Sequence, residues 1–127
     1  MGIDSHLAQV RGTLRRVEPH EAAAEAAGGA YLVDTRPEFQ RRASGTIPDA
    51  LLIERNHLEW RCDPSSEGAL PEAADRDVRW IVLCDEGYAS SLAAASLRTL
   101  GLNATDLVGG FQAWRAAGLP VTPPTPP

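Results

Sequence analysis

Four short apolar runs stand out along the chain: Ala30-Tyr31-Leu32-Val33, Leu51-Leu52-Ile53, Trp80-Ile81-Val82-Leu83 and Ala104-Thr105-Asp106-Leu107-Val108. The first three are nearly continuous rather than alternating, the pattern of a strand covered on both faces. Arg15-Arg16-Val17 is read as a short additional edge strand. Helical patterns lie between the runs. Pro19 opens one through His20 to Ala27, and Gly28-Gly29 ends it. Ser90 to Leu100 is the clearest helix, with Ala93, Leu97 and Leu100 on one face and Gly101 in the capping position. Phe111 to Ala117 predicts a short last helix, and Asn56 to Arg61 one or two turns. Strands alternating with helices predict right-handed crossovers and a parallel sheet.

In an open parallel sheet, ligands bind beyond the carboxyl ends of the strands. That edge collects Asp34 and Arg36, then Glu54 and Arg55, then Cys84 to Ser90, then Gly109 and Gly110. The cysteine ends the most central run and is followed by a turn containing Gly87 and then by a helix.

Composition narrows the field. The chain has 127 residues, 43% hydrophobic and 23% charged, which fits one globular domain and excludes collagen, coiled coil and disorder. Two cysteines exclude a disulfide-dense scaffold. The net charge is −5, and all 12 bases are arginine. An acidic chain with no basic tract is a poor partner for nucleic acid or anionic membrane. No apolar run reaches the ~20 residues of a membrane span. MGIDSHLAQV has neither a secretory pattern nor, with His6 at the sixth position, a myristoylation pattern. The expectation is a cytoplasmic monomer whose thiols stay reduced.

The segment Cys84-Asp85-Glu86-Gly87-Tyr88-Ala89-Ser90 carries the candidate chemistry. A thiolate at a strand end, facing a helix N-terminus, is stabilised by unpaired backbone N–H groups and the helix dipole. Gly87 permits the positive φ that wraps backbone around a sulfur, and Ser90 and Ser91 can cap the helix or turn a hydroxyl inward. A buried cysteine packing as a small hydrophobe fits the same position.

This segment resembles the C-x-x-G-x-x-S active loop of single-domain rhodaneses, which are sulfurtransferases. Leu32-Val33-Asp34-Thr35-Arg36-Pro37-Glu38-Phe39 with Gly45-Thr46-Ile47-Pro48-Asp49-Ala50 is similar to the family's first signature, D-x-R-x-x-E-[FY]…G-H-I-P-G-A. Gly109-Gly110-Phe111-Gln112-Ala113-Trp114 with Ala117-Gly118-Leu119-Pro120-Val121 is similar to its closing signature, G-G-x-x-A-W…G-[LY]-P-V. The resemblance implies a rhodanese-like α/β domain over residues 1–121, with a central five-stranded parallel sheet and helices on both faces. It implies that Cys84 takes sulfane sulfur as a persulfide from thiosulfate or another persulfide. The sulfur passes to cyanide, a thiol or a protein sulfur-relay partner, and no metal or organic cofactor takes part. Asp85, Glu86, Gly87, Tyr88, Ala89 and Ser90 then bind substrate.

The departures bear on substrate. The family often places Arg or Lys in the loop, whereas Asp85 and Glu86 stand here and oppose a dianion such as thiosulfate. Arg36, Arg41, Arg42 and Arg55 are candidates to offset them. Thr46 replaces the usual His, Asp49 the usual Gly, and Arg41 to Ser44 lengthen the intervening stretch. Two rivals remain. A Cys-dependent phosphatase or arsenate reductase needs an Arg that grips an oxyanion bidentately, and the loop has none. A catalytically idle binding or sensory module is the other.

Asp34 and Arg36 read first as a structural hydrogen-bonding pair and second as a substrate-facing charge, which adds Arg36 to the substrate-binding set. Cys62 is a candidate resolving thiol, though a second cysteine is more often incidental. His6, His20 and His57 lack metal-like spacing. Trp80 and Trp114 are expected in the core and Trp60 at the mouth of the site. Residues 122–127 form a Pro-rich tail expected to be disordered.

Overall fold

The structure, a computed structural model, describes residues 2–124. Its elements run α1 (Ile3–Arg11), α2 (Pro19–Ala27), β1 (Tyr31–Asp34), α3 (Glu38–Ser44) and β2 (Leu51–Leu52). A 3₁₀ turn (Arg55–His57), α4 (Leu58–Cys62), β3 (Arg79–Leu83), α5 (Ala89–Thr99), β4 (Asn103–Asp106) and α6 (Gly110–Ala116) follow. The four strands are parallel in the order β2-β1-β3-β4, so β3 is central and delivers Cys84 to the middle of the sheet edge.

The continuous apolar runs are explained by two separate cores. Val33, Trp80, Val82 and Ala104 pack on one face with Leu58 and Cys62 of α4 and Ala93, Ala94 and Leu97 of α5. Leu32, Ile81 and Leu83 pack on the other with Ala22 of α2 and Phe111 and Trp114 of α6. Successive residues of one strand point to opposite faces, and both faces are covered.

Among the described residues the sheet has four strands, not the five expected. Arg15-Arg16-Val17 contributes a single parallel bridge, Val17 to Leu107. The backbone is diverted on either side of it. The Thr105 hydroxyl donates to the Arg15 carbonyl at 2.8 Å. After Val17, Glu18 caps α2 through a reciprocal box with Glu21, and Pro19 has no N–H to continue a ladder.

Helices α1 and α3 bury no residue, which is why no amphipathic period announces them. Asp49 sits at φ 65°, the one left-handed non-glycine among the described residues. Glycine, expected there from the resemblance, adopts this conformation freely, and aspartate is among the few side chains that tolerate it. Of the Pro-rich tail, Thr122 exchanges backbone hydrogen bonds with Thr46, and residues 125–127 lie outside the described residues. No helix among the described residues is long and apolar enough to cross a membrane.

Candidate active site

Cys84 leaves the end of β3 half-buried, and the chain curls around its sulfur before entering α5. Sγ accepts the N–H of Gly87 at 3.2 Å and of Ser90 at 3.4 Å, and the Ser90 hydroxyl lies 3.3 Å away. Two backbone donors therefore converge on one sulfur at the N-terminus of an 11-residue helix, with the Ser90 hydroxyl beside them. Gly87 is held at φ 88°, and a Cβ there would meet the Gly109 nitrogen at 2.7 Å. Gly110 is tighter still, at φ 62° with a Cβ 2.5 Å from the Cys84 carbonyl oxygen. The close approach has a purpose. Phe111 N–H donates to the Cys84 carbonyl at 2.9 Å and Gln112 N–H to the Asp85 carbonyl at 3.0 Å. The first turn of α6 thus pins the two residues that start the loop.

A second set of groups holds the loop from behind. The Gly87 carbonyl accepts Arg11 Nη2 at 2.7 Å and Arg16 Nη2 at 3.2 Å. Arg16 also grips Asp106 of β4 with both arms, at 2.9 and 3.1 Å. Asp106, fully buried, accepts the Ser91 hydroxyl at 2.7 Å and the Ser90 hydroxyl at 3.4 Å. Ser90 therefore stands between a buried carboxylate and the sulfur. Sequence reading missed Arg11, Arg16, Asp106 and Gln112. Asp106 carried a signal, a charge inside an otherwise apolar strand; Arg11, on a polar helix, carried none.

A pocket of about 380 Å³ opens over the sulfur, lined among others by Thr35, Arg36, Arg55, Cys84, Asp85 and Tyr88. Arg36 is 1% exposed. Its Nε and Nη2 bind Asp34 at 3.0 and 2.7 Å, and Nη2 also binds the Gly45 carbonyl at 2.7 Å. The guanidinium carbon stacks 3.9 Å from the Phe111 ring centroid. The pair is first of all a structural clamp. One nitrogen, Nη1, has no hydrogen-bond partner among the described residues; it faces Asp85 at 4.0 Å.

The acidic pair divides. Asp85 turns into the pocket, accepting Gln112 Nε2 at 2.8 Å beside Arg36, while Glu86 is exposed. Tyr88 and Ala89 are exposed at the rim, and Gly87 and Ser90 are buried beneath it. Of the arginines expected to offset the acids, Arg55 lines the pocket but pairs with Glu59 at 2.8 Å. Arg41 donates to the Arg36 carbonyl, and Arg42 pairs with Glu38 in solvent.

Cys62, the last residue of α4, is fully buried in the core. Burial, with the nearby Glu59 charge, pushes its thiol up to about 12. Burial favours the neutral thiol and keeps it from solvent, which disfavours a resolving role. Trp60 is 62% exposed and lines grooves with Asp63, Leu100 and His57 rather than the mouth over Cys84. A larger groove of about 770 Å³, between α3 and Thr122 to Pro124, holds no nucleophile.

The model of the Rhodanese-like domain family matches residues 18–117. A solved structure described as a possible tyrosine phosphatase, from Rhodopseudomonas palustris, is 30% identical with a TM-score of 0.86, covering 96% of this chain and 95% of its own. A rhodanese-related protein from Thermoplasma volcanium is 27% identical with a TM-score of 0.67, over 85% of this chain and 97% of its own. A thiosulfate sulfurtransferase from Pseudomonas aeruginosa shares the fold at 24% identity and a TM-score of 0.65, over 85% of this chain and 19% of its own. No curated protein matches the chain.

Proposed function

The chain belongs to the rhodanese-like family, and from that premise we propose that it is a sulfurtransferase with Cys84 as nucleophile. The observation that carries the reading is the convergence of Gly87 N–H and Ser90 N–H on Sγ, with the Ser90 hydroxyl in contact, at the floor of an open pocket. The Cys84 thiolate attacks the outer, sulfane sulfur of a donor. The donor's S–S bond breaks, its electron pair leaves with the remainder (sulfite, when the donor is thiosulfate), and a Cys84 persulfide anion remains. The loop donors hold that anion as they hold the thiolate. A thiophilic acceptor such as cyanide, a small thiol or a protein thiol then takes the outer sulfur and restores the thiolate. Intact mass after incubation with thiosulfate or an organic persulfide tests this. The expected gain is about 32 Da, one sulfur on one thiolate. An unchanged mass with every donor overturns it in favour of an idle binding module.

The relative described as a possible tyrosine phosphatase favours a second reading. Oxyanion chemistry needs an arginine presenting parallel N–H groups from two of its nitrogens to the phosphate. Ser90 stands where the loop would place one, and Arg36 has only Nη1 left after binding Asp34 and Gly45. Hydrolysis of p-nitrophenyl phosphate is therefore expected at background. Cys84-dependent turnover would reverse the choice.

The acidic rim sets donor preference. Asp85 faces the pocket and Glu86 the approach to it, so a dianion meets more repulsion than a monoanionic persulfide. Substituting Asp85→Asn together with Glu86→Gln is expected to raise kcat/KM for thiosulfate about three- to ten-fold, the gain shrinking in high salt. Unchanged thiosulfate kinetics would transfer the preference to the shape of the mouth.

A further inference from the structure

We infer that Arg11, on the helix ahead of the matched family segment, is a positioning residue for Cys84. It fixes the Gly87–Tyr88 peptide with its amide toward the sulfur side and supplies a positive charge that the acidic loop lacks. The inference rests on the sulfurtransferase reading above.

Arg11 makes three contacts with the loop and the start of α5. Nη2 donates to the Gly87 carbonyl at 2.7 Å, Nε donates to the Ser91 hydroxyl at 3.1 Å, and the guanidinium lies 5.5 Å from the Tyr88 ring centroid. A trans peptide is planar, with C=O and N–H on opposite sides. Drawing the Gly87 carbonyl outward to Arg11 therefore turns the Tyr88 N–H away from the arginines and back toward the loop. That N–H has no hydrogen-bond partner among the described residues. It is a free donor beside the two that already reach Sγ. A hydrogen bond from a charged donor is stronger than a neutral one and holds the peptide more firmly.

Charge separates Arg11 from Arg16. Arg16 also touches the Gly87 carbonyl, but Asp106 neutralises it at 2.9 Å. Arg36 is balanced by Asp34 at 2.7 Å, and Arg55 by Glu59 at 2.8 Å. Arg11 has no carboxylate within 4.0 Å among the described residues, and both its hydrogen-bond acceptors are neutral. The other charges around the loop are Asp85 and Glu86 themselves. Arg11 is thus the uncompensated cation of the loop, and it comes from outside the segment 18–117 that the family model matches.

The test uses full-length Arg11→Gln and Arg11→Lys. Three quantities are read: Tm, the rate of iodoacetamide alkylation at Cys84 against pH, and sulfur uptake by intact mass. Arg11→Gln is expected to slow alkylation at neutral pH about five-fold and move the rate–pH curve to higher pH, because a nearby cation favours the thiolate. Arg11→Lys is expected to restore most of the rate, since the charge returns while the forked geometry does not. A wild-type curve for Arg11→Gln overturns the inference. So does a uniform loss of rate with the curve unmoved, which would mark Arg11 as packing only. Sulfur uptake by the unsubstituted protein is a separate arm: its absence sinks the sulfurtransferase reading, whereas uptake beside an unmoved curve sinks only the role of Arg11.

Discussion

Cys84→Ser is expected to abolish sulfur uptake, leaving the intact mass unchanged after exposure to any sulfane-sulfur donor. The hydroxyl that replaces the thiol keeps the hydrogen bonds of the loop but is no nucleophile at neutral pH. The paired control is Cys62→Ala. Cys62 lies in the core with its thiol pushed up to about 12 by burial. It holds no thiolate at physiological pH, and the variant is expected to take up one sulfur as the parent does. Mass spectrometry of the two variants beside the parent separates the cases. Uptake that survives Cys84→Ser, or vanishes with Cys62→Ala in a protein that is still folded, would move the chemistry away from the loop.

The second large effect falls on stability. Asp34→Ala removes the partner of a guanidinium that is 1% exposed and stacked on Phe111. Breaking one side of a buried ion pair leaves a desolvated charge and costs about 3–5 kcal/mol, which for a chain of this length lowers Tm by about 10–20 °C. Replacing both members, Asp34→Ala with Arg36→Met, removes the stranded charge and keeps a side chain against the ring. The double variant is therefore expected to melt above Asp34→Ala alone. Thermal unfolding of the two variants beside the parent decides it. A loss below about 1 kcal/mol for Asp34→Ala would show that the pair is not desolvated in solution.

Much of this architecture was legible because it is written in apolar residues. Trp80 to Leu83 must be covered on both sides, and that requirement alone makes β3 a central parallel strand. The helices at Pro19, Ala89 and Gly110 were readable from a capping proline, an apolar face and closing glycines. Helices α1 and α3 were not, because they bury nothing and leave no period to read. The fifth strand was over-read: Arg15 to Val17 has strand-like neighbours, but Glu18 and Pro19 commit the chain to a helix one residue later. At the site, the cysteine, its glycine and its serine could be named from spacing. Their support could not, since Arg11 and Ser91 are 80 residues apart and side-chain hydrogen bonds of that span have no local signature.

That separation has a consequence for how the site holds together over time. Arg11 reaches Gly87 across 76 positions and Ser91 across 80, but the chain is already anchored at Leu14 and Val17, so the entropy its contacts must offset is that of ordering the short arm ahead of them. Little opposes that entropy locally: α1 buries none of its residues, and only Val10 of that helix rests, half-covered, on the core. An element fastened by polar contacts to a face it scarcely deepens belongs to the least protected cooperative unit of a fold. Hydrogen exchange is therefore expected to be faster in α1 than in β3, α5 and the two cores. When α1 opens, Gly87 keeps its glycine turn and loses the clamp on its carbonyl. The order around the sulfur thus has a stability of its own, set by a helix of nine residues and smaller than that of the sheet beneath it.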